Sequence, residues 1–76
     1  MNNQRRKQIE KIKSDLEELK SQVETLRDEE QEAYDNMPES LQSSEKGEQA
    51  CAAAEALTCA CDNLESAFSD LETAGE

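Results

Sequence analysis

Ile9, Ile12, Leu16, Leu19, Val23 and Leu26 follow one another at intervals of three, four, three, four and three residues. That is the a/d spacing of a coiled-coil seam. Ile9, Leu16 and Val23 take a; Ile12, Leu19 and Leu26 take d. The same register carries Glu30 to a, Ala33 to d and Met37 to a. The residues between are Glu, Lys, Gln, Ser, Asp and Arg, mostly good helix formers. The pattern predicts a helix over about residues 3–35, nearly 50 Å long at roughly 1.5 Å per residue.

The second half repeats the device. Leu57, Cys61, Leu64, Phe68 and Leu71 step by four, three, four and three, and the register runs back through Ala54, Ala50 and Gly47. A second helix is expected over about residues 42–73, ending before Gly75. No segment alternates with period two, so no strand is expected.

Between the two patterns lies "DNMPESLQ", with the only proline. Pro38 lacks an N–H and disfavours helical geometry at Met37, but it suits the first turn of a new helix. Asp35 or Asn36 can cap that turn, with Ser40, Ser43 and Ser44 as further candidates. Glu39 sits where the helix dipole favours an acid. The expected bend is residues 36–41, with Asn36, Met37, Pro38 and Leu41 its key residues. Met37 and Leu41 would plug the end of the seam. A single straight coiled coil is disfavoured, because Met37 and Gly47 are ten residues apart, not a multiple of seven.

A bend near residue 40 makes an antiparallel hairpin, an all-α single domain over residues 1–76. The expected layers are Leu26 with Ala54, Val23 with Leu57, Leu19 with Cys61, Leu16 with Leu64, Ile12 with Phe68 and Ile9 with Leu71. The basic start of the first helix would lie beside Glu65, Asp70 and Glu72. Exposed ion pairs contribute only about 0–1 kcal/mol each, so their value is orientation.

The helices are not equally apolar. The first has Gln8, Asp15, Gln22 and Glu29 at g, and Lys13, Lys20 and Arg27 at e. The second has Ala53, Ala60, Ala67 and Ala74 at g, a second stripe beside its seam. This face is wider than a two-helix pair needs. The expectation is a homodimer in which the second helix packs on its own copy, giving a coiled-coil-like four-helix bundle with two-fold symmetry. The competing reading is that these alanines are helix formers on a solvated face.

Composition sharpens this. The chain has 76 residues, net charge −11, 36% charged and 34% hydrophobic residues, and two aromatics, Tyr34 and Phe68. Disorder is the alternative for such a chain, and the periodicity argues against it. Residues 1–13 carry five bases against Glu10, a net +4; the rest carry 18 acids against three bases, a net −15. That balance disfavours direct binding to nucleic acid. No stretch is apolar enough to span a membrane. The basic start has no apolar h-region after it, so a cytoplasmic location is expected. Cys51, Cys59 and Cys61, odd in number, are expected to be free thiols.

Candidate chemistry is sparse. There is no histidine, the usual general base and a common metal ligand. The cysteines lack zinc-ligand spacing, and Cys61, at a seam position, is expected to be a buried filler. Asp28, Glu29, Glu30, Glu32 and Asp35 could meet a hard cation, but the run is not an EF-hand loop. Glu30, an acid at a seam position, has three readings. It reaches solvent past small residues, it bonds backbone N–H groups of the bend, or it lines a polar pocket with Tyr34 and Asn36. No phosphate-binding loop, nucleophile elbow or acid/base pair occurs, so no enzyme, cofactor or metal is expected.

The run "RDEEQEAYDNMPESLQSSEKGE" (27–48) resembles the bend of small acidic two-helix proteins encoded in bacterial genomes, many within phages and mobile elements. The resemblance implies a phage or prophage context and assigns no residue a role. From Asp28 to Glu48, eight acids face one lysine. The leading expectation is protein–protein interaction through Asp28, Glu29, Glu32, Asp35, Glu39, Glu45 and Glu48, with a basic host protein as complement. A dimer would carry about one charge per 2 Å of its length, near the ~1.7 Å of duplex DNA, so DNA mimicry is one version. The alternatives are a nucleotide-like ligand held between subunits near Arg5, Arg6, Tyr34 and Asn36, or a purely structural or assembly role.

Overall fold

A computed structural model describes residues 1–76. The chain is all-α: α1 spans Asn3–Asp35, α2 is the short turn Glu39–Gln42, and α3 spans Glu45–Ala74. The two long helices lie antiparallel along each other in a rod of 58 × 15 × 12 Å.

α1 starts at Asn2, whose side-chain oxygen accepts from the Arg5 N–H at 2.8 Å. This satisfies one of the N–H groups a helix start leaves without a partner. The cap was not anticipated from the sequence. At the other end Asn36 closes α1 instead of capping the next turn: its N–H donates to the Glu32 carbonyl at 3.0 Å, and the Met37 N–H donates to the Tyr34 carbonyl at 3.1 Å. Pro38 follows with extended backbone at the N-cap of α2. Its carbonyl accepts from the N–H groups of Leu41 and Gln42 at 2.9 and 3.0 Å. Glu39 opens α2, where its charge suits the dipole.

The second long helix starts at residue 45, not 42. Ser43 and Ser44 break the chain first, and Ser44 becomes the α3 N-cap, its carbonyl accepting from the Glu48 N–H at 3.0 Å. The Ser44 hydroxyl donates to the Leu41 carbonyl, tying α2 to the start of α3. Gly47 is buried where those two elements meet. A Cβ there would stand 2.5 Å from the Leu41 carbonyl oxygen and closer still to that of Gln42, so only glycine permits this approach.

The α3 seam is the expected one. Gly47, Ala50, Ala54 and Cys61 are buried; Leu57, Leu64, Phe68 and Leu71 are half-buried. The α1 seam is rotated from its expected place. The half-buried positions are Ile9, Lys13, Leu16, Lys20, Val23, Arg27, Glu30, Tyr34 and Met37, which are a and e, not a and d, together with Glu24 beside Lys20. Ile12, Leu19 and Leu26 stay 47, 49 and 53% exposed. The layers expected of those three, with Phe68, Cys61 and Ala54, are therefore not made. The register is also shifted by about one turn: a Cβ on Gly75 would stand 3.7 Å from Ile9 Cγ2, where Leu71 was expected.

The cause lies in the long cationic side chains. Lysine and arginine stems cover apolar surface while their heads reach solvent or acids. Lys13 shows the effect best. Its side chain is only 16% exposed, its ammonium lies 5.2 Å from the Phe68 ring centroid, and it meets Glu10 at 3.3 Å and Glu72 at 3.9 Å. Lys20 does the same between Glu24 at 3.7 Å and Glu65 at 3.6 Å. The basic start of α1 thus meets Glu72 as expected, whereas Glu65 pairs with Lys20 further along α1 and Asp70 makes no ion pair. Arg6 closes the open end by donating to the Glu76 carbonyl at 3.3 Å.

Candidate interaction surfaces

The bend end gathers the acids. Asp28, Glu29, Glu32 and Asp35 come from the last turns of α1, Glu39 from α2, and Glu45 and Glu48 from the first turn of α3. All seven are exposed. Glu39, Glu45 and Glu48 sit at helix N-termini, where the dipole stabilises them. The four on α1 sit at a helix C-terminus, which disfavours them. Few local contacts neutralise the group. The Gln31 amide donates to Asp35 Oδ1 at 3.0 Å. The Arg27 guanidinium meets Asp28 Oδ1 at 3.1–3.2 Å, and this hydrogen bond pushes the Arg27 pKa above its ordinary value. Lys46 is exposed and makes no ion pair within 4.0 Å.

The bend residues act as a scaffold for this patch. The Gln42 amide donates to the Tyr34 carbonyl at 3.0 Å, holding α2 to the end of α1. Met37 is half-buried and Leu41 exposed, so Leu41 does not plug the seam. Glu30 is half-buried and makes no hydrogen bond with the bend. That disfavours the reading in which it bonds backbone N–H groups of the bend, and no cavity joins it to Tyr34 and Asn36.

The hairpin has two unlike sides. On one, the e edges of both helices meet through Lys13–Glu72 and Lys20–Glu65. Two open grooves lie on this side. One, of about 450 Å³, has Arg27, Asp28, Gln31, Ala54, Glu55 and Thr58 among its lining residues; the other, of about 240 Å³, lies between Leu16, Lys20, Leu64, Glu65 and Phe68. Neither includes Arg5, Arg6, Tyr34 or Asn36.

On the opposite side, the d stripe of α1 adjoins the g stripe of α3. Ala53, Ala60 and Ala67 are half-buried there, and Ala74 is exposed. The adjoining c positions between Gln49 and Ala67 are Gln49, Ala56 and Asn63, so this strip carries no charge. The acids Glu48, Glu55, Asp62, Glu65 and Glu72 fall on the b and e columns instead, and Asp70, at c beyond Ala67, is the one acid beside the stripe. The exposed d stripe of α1 escaped sequence reasoning, because a regular a/d pattern does not say which helix face the hairpin will use.

Cys61 is buried; Cys51 and Cys59 are exposed, and all three are free thiols. No group of three or more His, Cys, Asp or Glu side chains is placed to hold a metal ion. No helix is long and apolar enough to cross a membrane. The chain matches no protein-family model, no curated protein and no solved structure.

Proposed function

We propose that this chain is a non-enzymatic, homo-oligomeric helical protein that binds a basic protein surface through its acidic bend. The observation carrying this reading is the gathering of Asp28, Glu29, Glu32, Asp35, Glu39, Glu45 and Glu48, all exposed, at one end of a 58 Å rod. Close like charges destabilise the free protein, and a basic partner relieves that repulsion. The likeness to two-helix proteins of phages and mobile elements supports a host protein as that partner. The uncharged strip over Ala53, Ala60 and Ala67 supports a dimeric four-helix bundle with α3 against α3 of the copy. The nucleotide-like alternative is weakened by the larger groove itself, whose Asp28 and Glu55 would repel an anion.

Affinity capture from a bacterial lysate, repeated over a salt series, tests the reading. The captured partner should be basic and should elute between about 0.15 and 0.5 M salt, as expected of exposed charges. The variant Asp28→Asn, Glu32→Gln, Asp35→Asn, Glu39→Gln should lose it. Binding indifferent to salt and to those four changes would refute the acidic-surface reading.

A further inference from the structure

The rod is incompletely covered, and the deficit has a definite size. A compact protein of 8.5 kDa exposes about 4,700 Å². This chain exposes 5614 Å². The excess, roughly 900 Å², is close to the ~800 Å² that each partner buries in an interface of standard size.

The bare surface is also patterned. Ile12, Leu19 and Leu26 are spaced by seven along α1, each about half exposed. They flank the uncharged strip of α3. The two ends of this stripe differ in charge. Arg5 continues it at the start of α1, and Ala33, flanked by Glu29 and Glu32, continues it at the end. Arg5, Glu29 and Glu32 are exposed, and none has an ion-pair partner within 4.0 Å in the hairpin.

We infer that the Ile12–Leu19–Leu26 stripe is the seat for α1 of a second copy, antiparallel, with the two-fold axis at Leu19. Leu19 then meets its own copy, and each Ile12 meets the other Leu26. Each Arg5 falls level with Ala33 of the copy, between Glu29 and Glu32. A parallel pair would set Arg5 against Arg5 and Glu29 against Glu29, and like-charge juxtaposition selects against that arrangement. The Lys20–Glu65 pairing sets the same two-fold axis near Glu65 of α3, so Asn63 falls level with Ala67 of the copy and Ala60 with Asp70, and no acid on that face is opposed to an acid. The bundle is therefore closed by α1 and α3 together. This inference does not depend on the basic partner, and its failure would leave salt-dependent capture by the acidic bend unchanged.

Light scattering coupled to size exclusion, with helix content followed by circular dichroism, tests it on the whole chain. The wild type should be a dimer at tens of micromolar. Leu19→Glu should be a monomer with its helix content kept, since Leu19 lies outside the hairpin seam. Arg5→Glu, which changes a side chain with no hydrogen bond or ion pair inside the hairpin and keeps the N–H that Asn2 caps, should weaken the dimer about tenfold at low salt, from two symmetric ion-pair sites of under 1 kcal/mol each. Adding Glu29→Arg and Glu32→Arg should restore it. A wild type that is monomeric throughout, a dimer that survives Leu19→Glu, or a charge reversal without restoration would each overturn the inference.

Discussion

Replacing Gly47 by alanine sets two effects of opposite sign against each other. Gly47 lies in the first turn of α3, and alanine is a better helix former than glycine by about 1 kcal/mol. On propensity alone Gly47→Ala stabilises the protein. The packing says otherwise. The new methyl would lie 2.5 Å from the Leu41 carbonyl oxygen and nearer to that of Gln42. Both obstacles are backbone, so relief requires α2 to move by about 1 Å. Overpacking of this kind costs about 1–3 kcal/mol. The movement also strains the bonds that hold the turn: Leu41 and Gln42 to Pro38, Ser43 to Glu39, Ser44 to Leu41. Each contributes about 0.5–1.5 kcal/mol. With the propensity gain subtracted, the net loss is about 2 kcal/mol, or a melting temperature lower by about 10 °C for a domain of this size. Thermal unfolding followed by circular dichroism reads it directly, at one fixed protein concentration so that self-association does not shift the result. Gly75→Ala is the control. Its Cβ would meet the Leu71 carbonyl at 3.4 Å and Ile9 Cγ2 at 3.7 Å, ordinary contacts, so its stability should change by less than about 0.5 kcal/mol. A Gly47→Ala protein that melts at or above the wild type would refute the close-approach argument.

Three further outcomes follow from other contacts. Asn2→Ala should cost about 1 kcal/mol in urea unfolding through loss of the α1 cap, whereas Asn36→Ala, which removes no side-chain hydrogen bond, should stay within about 0.5 kcal/mol of wild type. Lys13→Ala should cost about 1 kcal/mol, because the side chain covers Phe68 and its ammonium faces the ring; a loss that vanishes in 0.5 M salt would mean the ion pairs alone carry it. A thiol reagent should label Cys51 and Cys59 quickly in the native protein and Cys61 only on unfolding; three equally fast thiols would contradict the burial of Cys61.

The two helices, the break at Pro38, the α3 seam and the burial of Cys61 were legible because each follows from local chemistry. So was the meeting of the basic start of α1 with Glu72. The face α1 would present was not legible. A lysine at e counts as polar in a heptad pattern, yet Lys13 and Lys20 supply aliphatic stems that compete with Ile12 and Leu19 for the α3 surface. The register was missed for a related reason. The packing stripe of α1 runs on through Tyr34 to Met37, so the turn is centred beyond residue 40, and α2 with Ser43 and Ser44 fills the difference. The acidic bend was legible as a charge run; that its members are all exposed at one end of the rod needed the fold. The alanine stripe was legible as a spare edge. Its neighbour on the same side, the exposed d stripe of α1, became visible only once the hairpin had used the other face.

The four buried residues, Gly47, Ala50, Ala54 and Cys61, all belong to α3 and crowd toward the bend. Past Cys61, only half-covered side chains and solvent-facing ion pairs hold the helices together, with Arg6 to Glu76 as the last clasp. The pair therefore behaves as tweezers with a stiff hinge and loose tips. Amide exchange should quicken steadily from Ala54 toward both termini, because each arm keeps its helix only while packed on the other and the tips part first.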